Sequence, residues 1–273
     1  MKIITDLSVT AMPAPGRRAW HPGRLFNGGA QGAWFDPMDA ASVFTDVAGT
    51  ILAAPGDAVA HMADKSGNGH HAVQAAPAAR PFLRQDPEGR RYLEFDGIDD
   101  HLLTAPVDMT ATQRATAVAG LRKLSSDHAR VVLGHNVPSV SPGGFDLLTS
   151  TGANAFVSVL ARSTSGSTSQ CGVTQWRTPP ISLVVTGRMD FSAPAGGEVR
   201  LRIDSEEFAQ TIGTGTENNG TFGNGPLSIG ARPNATAFHQ GHLHGALVCG
   251  RELSAVELSN LETWMIERAP DAV

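Results

Sequence analysis

Between Glu198 and Asp204 the chain alternates strictly: Val199, Leu201 and Ile203 are apolar, while Glu198, Arg200, Arg202 and Asp204 are charged. A period of two puts the two sets on opposite faces of an extended chain, one towards a core and one towards water. That is the pattern of a half-buried antiparallel strand. The texture recurs in Val157 and Val159 set between Phe156, Ser158 and Leu160, and in the β-branched run Ile181–Thr186. Tyr92–Phe95, His101–Thr104, Ala115–Leu121, Arg130–Gly134, Leu227–Ala231 and His242–Cys249 are further strand segments. Turn residues separate them at Asp96-Gly97, Pro142-Gly143-Gly144, Ala195-Gly196-Gly197 and Asn218-Asn219-Gly220. Asp96-Gly97 reads as a hairpin turn, with Asp99 and Asp100 capping the returning strand. Many short strands with frequent turns specify a sandwich or barrel, and thirty glycines against one tyrosine suit that loop-heavy design.

One helix stands near the end. Ser254 and Glu257 have the spacing of a capping box, Leu258, Leu261 and Met265 share one face beside Trp264, and Pro270 stops the run. At the other end, Met1–Ala33 is rich in Pro, Gly and Ala, with Pro13, Pro15, Pro22 and Gly28-Gly29. Such a segment reads as an extended attachment arm over 1–33, or as a frayed terminus, ahead of one sandwich domain over 34–273. A length of 273 residues suits a single large sandwich. Ser163–Ser169 reads as a flexible polar loop.

A formal charge of −5, with no basic run longer than Arg17-Arg18 or Arg90-Arg91, argues against nucleic acid as a partner. No stretch is apolar for long enough to insert in a bilayer, and the start lacks the apolar core of a secretory signal. Cys171 and Cys249 allow at most one bridge and no zinc pattern; they read as two buried small hydrophobes.

Three segments, in order, resemble the laminin-G-like family of concanavalin A-like sandwiches. Asp64-Lys-Ser-Gly-Asn-Gly-His-His71 is similar to its Asp-x-Ser-Gly-Asn-Gly loop, and Tyr92–Asp100 to its Phe-Asp-Gly-x-Asp-Asp segment. Leu227–Ala231, Phe238–Val248 and Glu252-Leu-Ser254 are similar to its closing strands and helix start. The resemblance implies an all-β, antiparallel concanavalin A-like jelly roll with one short C-terminal helix, and a binding function rather than an enzymatic one. Gly32–Asp39 resembles the Trp-x-Asp-Pro-x-Asp opening of laminin-G-like proteins of phages and prophages. This implies a virion appendage, of tail-fibre or head-spike type, for host attachment. Such a protein is made in the bacterial cytoplasm and released without a signal peptide. Its expected partners are a host surface glycan, other virion proteins through the arm, and further copies of itself. A decoration protein of the particle is the alternative, and a glycosidase a more remote one.

Glu94 and Asp96 share a face and superficially imitate the carboxylates of a retaining glucanase, but Gly97 breaks the strand before a third carboxylate joins. Trp176 beside Arg177 is the sugar-stacking candidate. His242, His244, Arg200 and Arg202, all expected to point outward, are the polar candidates on exposed sheet faces. Calcium is the cofactor that the resemblance implies, with Asp64, Asn68, Asp96, Asp99 and Asp100 as the available hard oxygen ligands.

Overall fold

A computed structural model describes residues 20–125, 129–138, 141–151, 157–173, 178–209 and 218–269. In chain order its first strands are β1 (Gly32–Phe35), β2 (Val43–Phe44), β3 (His61–Met62), β4 (Ala72–Val73), β5 (Phe82–Gln85) and β6 (Arg91–Asp96). Next come β7 (Leu102–Asp108), β8 (Arg114–Lys123), β9 (Ala129–His135), β10 (Gly144–Thr151), β11 (Val157–Arg162) and β12 (Ser169–Val173). The last are β13 (Ile181–Asp190), β14 (Val199–Ile203), β15 (Glu206–Phe208), β16 (Asn224–Ile229) and β17 (Gln240–Cys249), followed by helix α1 (Ala255–Ile266).

The strands form two antiparallel sheets. Sheet A runs β15-β14-β13-β8-β17-β6-β5, with β1 also paired to β17, and sheet B runs β12-β11-β10-β9-β16-β7-β4-β3-β2. Alternation explains the layering. In β8, Ala115, Ala117, Ala119 and Leu121 join the core between the sheets, as do Val199, Leu201 and Ile203 in β14. The all-β jelly roll with a single late helix is thus the observed architecture.

Helix α1 packs on the outer face of sheet A. Leu258, Leu261, Trp264 and Met265 bury against Val118, Val184, Leu247 and Cys249. The capping box forms as the spacing requires: Ser254 Oγ accepts from Glu257 N at 3.3 Å, and Ser254 N donates to the Glu257 carboxylate at 2.9 Å. Arg251, at 2.7 Å, and that cap hold the Glu257 carboxyl down to about 2.

Four expectations need correction. Residues 20–33 belong to the sandwich rather than to an arm. Leu25 and Phe26, in a 3-10 turn over Pro22–Phe26, are 1% and 6% exposed against the helix, and Gly32–Phe35 pairs with β17. Residues 1–19 lie outside the described residues. Asp96-Gly97 is not a hairpin, because β6 belongs to sheet A and β7 to sheet B; the turn is a corner between the sheets. Turn chemistry is the same in both cases, since Gly97 needs its φ of 81° either way. Ser163–Ser169 is pinned: Asn218 accepts from Ser163 N at 2.7 Å and donates to Ser169 Oγ at 3.2 Å. Finally, His244 stands on the outer face but is buried, as set out below. Cys171 and Cys249 are both buried and free.

Candidate functional site

The helix covers only part of the outer face of sheet A. Leu93, Phe95, Leu121, Leu183 and Leu243 all point into the core, so their strand neighbours point outward. Pairing register sets these neighbours in one strip across five strands: Phe82 opposite Glu94, Glu94 opposite His242, His242 opposite Arg122, and Arg122 opposite Ser182. In the adjoining row Tyr92 faces Arg84. The Tyr92 ring stacks on His242 with centroids 4.3 Å apart and lies 5.3 Å from His244. Arg84 pairs with the Glu94 carboxylate and lies over Phe82 at 5.0 Å.

Burial sets the charge of this surface. It lowers the pKa of His242, with Glu94 opposing, and pushes His244 down to about 3. Both imidazoles are therefore neutral at pH 7, and the charges of the strip belong to Arg84, Arg122 and Glu94. Burial, reinforced by Glu94, raises the Tyr92 pKa, so its phenol keeps its proton. His244 sinks to 1% exposure beside a register shift between Leu243 and Gly245, where the outer face passes from polar to apolar. A flat stack of phenol and imidazole suits the apolar C–H face of a sugar ring, with guanidinium donors and a carboxylate acceptor beside it.

Just past Glu94, the corner brings Asp96, Asp99 and Asp100 together, with one carboxylate oxygen of each within 4.8 Å of the others. Asp100 is pushed up to about 6, chiefly by burial and then by Asp96, Asp99 and Glu94. Among the described residues this trio is the acidic group compact enough for a hard cation, which would draw further oxygens from elsewhere. The same carboxylates also build the corner. Asp96 Oδ1 accepts from Ile98 N at 2.7 Å, and Asp100 Oδ2 from Asp96 N at 3.0 Å.

Asp64 and Asn68 stand apart from that trio. Asp64 accepts from the amides of Trp34, Ser66 and His70 and from the Ser66 hydroxyl, at 2.7–3.0 Å. Asn68 donates to the carbonyls of Ala30 and Gly32. This loop therefore clamps β1. Arg200 and Arg202 share the outer face of sheet A with the histidines, but on the far side of the helix. Arg202 binds the buried Glu262 of α1 at 2.8 Å, and Arg200 lies 3.5 Å from Glu207. A 190 Å³ cavity beside Arg200 is lined by Arg188, Asp190, Glu198 and Glu252, and there too the charges pair internally: Arg188 with Glu252 at 2.6 Å, Asp190 with Arg114 at 3.0 Å. Trp176 and Arg177 lie outside the described residues.

Sequence reasoning brought out His242 and His244 and passed over Tyr92, Arg84, Arg122 and Phe82. The available signal was modest. Tyr92 is the sole tyrosine and takes the outward parity of Glu94 in the same strand.

Comparison with solved structures finds the same jelly-roll sandwich fold in other proteins. The crystal structure of the botulinum neurotoxin serotype D binding domain superposes with a TM-score of 0.56 at 9% identity, covering 87% of this chain and 52% of the other. The binding domain of botulinum neurotoxin DC, solved in complex with SialylT, gives 0.53 at 10% identity, covering 83% and 51%. The chain thus spans about half the length of these structures, and the likeness is one of fold. No family model and no curated protein matches the sequence.

Proposed function

We propose that the chain is a glycan-binding module that performs no glycosidase chemistry, with its ligand seated on the Tyr92–His242 strip. The observation that carries this reading is the 4.3 Å Tyr92–His242 stack on a part of sheet A that the helix leaves open, between Arg122 and Glu94. The toxin domain solved with SialylT supports it by fold alone. Against hydrolysis stands the pairing of Glu94 with Arg84 and of the Asp96 and Asp100 carboxylates with backbone amides of the corner. A retaining or inverting mechanism needs one free acid and one free base across a bond.

Binding of the purified chain to a glycan and envelope-polysaccharide array, with and without EDTA, tests the reading. The expected result is saturable binding without released sugar, and loss of binding in Tyr92→Ala. Released oligosaccharide would overturn it, as would binding that Tyr92→Ala leaves intact. A loss with EDTA would add a calcium ion held by Asp96, Asp99 and Asp100.

Following the resemblance of Gly32–Asp39, we further propose that the module serves host attachment on a phage-type virion, in several copies, with residues 1–19 as its link to the particle. Repetition would raise the avidity of weak sugar sites. Deleting residues 1–19 is expected to leave the sandwich folded and to abolish incorporation into particles; undiminished incorporation would remove this role.

A further inference from the structure

The interior of a sandwich is normally apolar, yet one end of this one is basic. In β8 the inward positions Ala115, Ala117, Ala119 and Leu121 are followed, two residues on, by Lys123. Lys123 is 0% exposed, and its Nζ has no hydrogen-bond partner. Directly opposite in β17 is Gly241. His239 stands two residues before Gly241 in the chain, and a side-chain carbon on Gly241 would lie 2.8 Å from His239 Nε2, so the imidazole approaches the backbone that pairs with Lys123. His239 is also 0% exposed; its Nδ1 lies 3.4 Å from Thr149 Oγ1, and its Nε2 has no partner.

We propose that this end of the interior, between β8, β10 and the start of β17, is a binding site for a small anion of halide size, held by the Lys123 ammonium and the His239 Nε2–H. The chemistry of the set is one-sided. The Thr149 hydroxyl can donate to Nδ1, and in that tautomer the ring proton sits on Nε2, so that an anion between the two groups meets two donors. Beyond them, Arg130 donates to the carbonyls of Gly97 and Phe238, at 3.1 and 2.8 Å. Burial and the neighbouring Arg130, His242 and Lys123 all disfavour a charged His239, opposed by a backbone contact with His242. Burial alone lowers Lys123, to about 8, which leaves it mostly charged at neutral pH. A buried ammonium without a counter-charge is strongly unfavourable, and no carboxylate among the described residues pairs with Lys123. A spherical, weakly hydrated anion meets the need, and it can exchange through local opening. This site is separate from the outer strip and stands or falls without it.

The test is thermal unfolding of the full chain in sodium chloride against sodium gluconate at matched ionic strength, with crystals grown in bromide. Above the dissociation constant, each tenfold increase in chloride is expected to raise Tm by about 3 °C. Lys123→Met, similar in length and uncharged, should fold and lose that dependence, and bromide should give an anomalous peak beside Lys123 Nζ. Equal melting in the two salts would overturn the site. So would a chloride dependence that survives Lys123→Met, or bromide found only on the surface.

Discussion

The outer face of sheet A has two halves built on the same strands. Along β17 the outward residues are His242 and His244 at one end and Leu247 and Cys249 at the other; along β8 they are Arg122 at one end and Val118 at the other. The apolar half is covered twice, by α1 and by the Pro22–Phe26 turn, and forms a second core. The polar half is covered by neither the helix nor the turn and carries the Tyr92–His242 stack. The change of character falls at the register shift between Leu243 and Gly245, where β17 exchanges one edge partner, β6, for another, β1. One strand thus packs under a second core over half its length and carries the proposed ligand strip over the other, because a bulge resets which residues face out.

If that division is right, damage to the covered half should appear in stability and damage to the open half in binding. The largest effect is expected from Trp264→Ala, or from deleting residues 1–30, which removes Leu25 and Phe26. Each should cost about 3–5 kcal/mol by denaturant unfolding, while deletion of residues 1–19 should cost little. A fully stable 1–30 deletion would break the comparison, because the turn would then not be part of the cover.

Next is the corner that ends β6. At Gly97 an added side-chain carbon would lie 2.5 Å from an Arg130 guanidinium nitrogen and 2.7 Å from Gln240 Cβ, at a φ of 81°. Gly97→Val should cost about 2–4 kcal/mol from backbone strain and overlap combined. It should also weaken ligand binding, since the corner sets the end of the strand that bears Tyr92 and Glu94. An unchanged melting temperature would remove the positive-φ role of this residue.

A smaller effect should follow pH. Burial holds His135 down to about 4 and both His239 and His244 to about 3. Against an unfolded value near 6.5, the unfolded chain binds more protons below that pH, so these residues lose stability as pH falls. Asp100 and Asp146, both raised to about 6 by burial, act with the opposite sign between about pH 6 and 4. Three histidines outweigh two carboxylates, and between pH 6.5 and 6 they act alone. The fold should be less stable at pH 4.5 than at pH 7, by on the order of 2 kcal/mol. Greater stability at pH 4.5 would mean that the histidines are not held neutral.

How far the sequence foretold this division depends on the range of the interaction that sets each part. Local rules were legible. The alternation over Glu198–Asp204 is β14, and Ser254 with Glu257 is the helix cap. The corner at Asp96-Gly97 was not separable from a hairpin, because which sheet the next strand joins depends on β4 and β16, far away in sequence. Residues 20–33 looked like part of an arm because the helix and the end of β17 that their apolar side chains meet lie more than two hundred residues on. His242 was legible as outward, while its stack with Tyr92 depends on the register of β6 against β17. For Arg200 and Arg202 the limit is related. Alternation shows that they face outward, but not that Glu207 and Glu262 meet them there.

The smallest effect on stability, and the sharpest test of the division, is expected from Tyr92→Ala. Tyr92 is partly exposed on the strip, and its ring contacts among the described residues are with two imidazoles, which its removal mainly forfeits. Its removal should cost less than about 1–1.5 kcal/mol, the scale of one aromatic pair. Circular dichroism and melting should stay close to those of the parent chain. Glycan affinity, by contrast, should fall at least tenfold, because a sugar ring has no other outward aromatic of comparable area on this strip except Phe82, over which Arg84 lies. Tyr92→Phe keeps the ring and should retain most of the affinity. If both variants bind as the parent does, the open half is not the binding face; if Tyr92→Ala also unfolds the chain, the two halves are not separable.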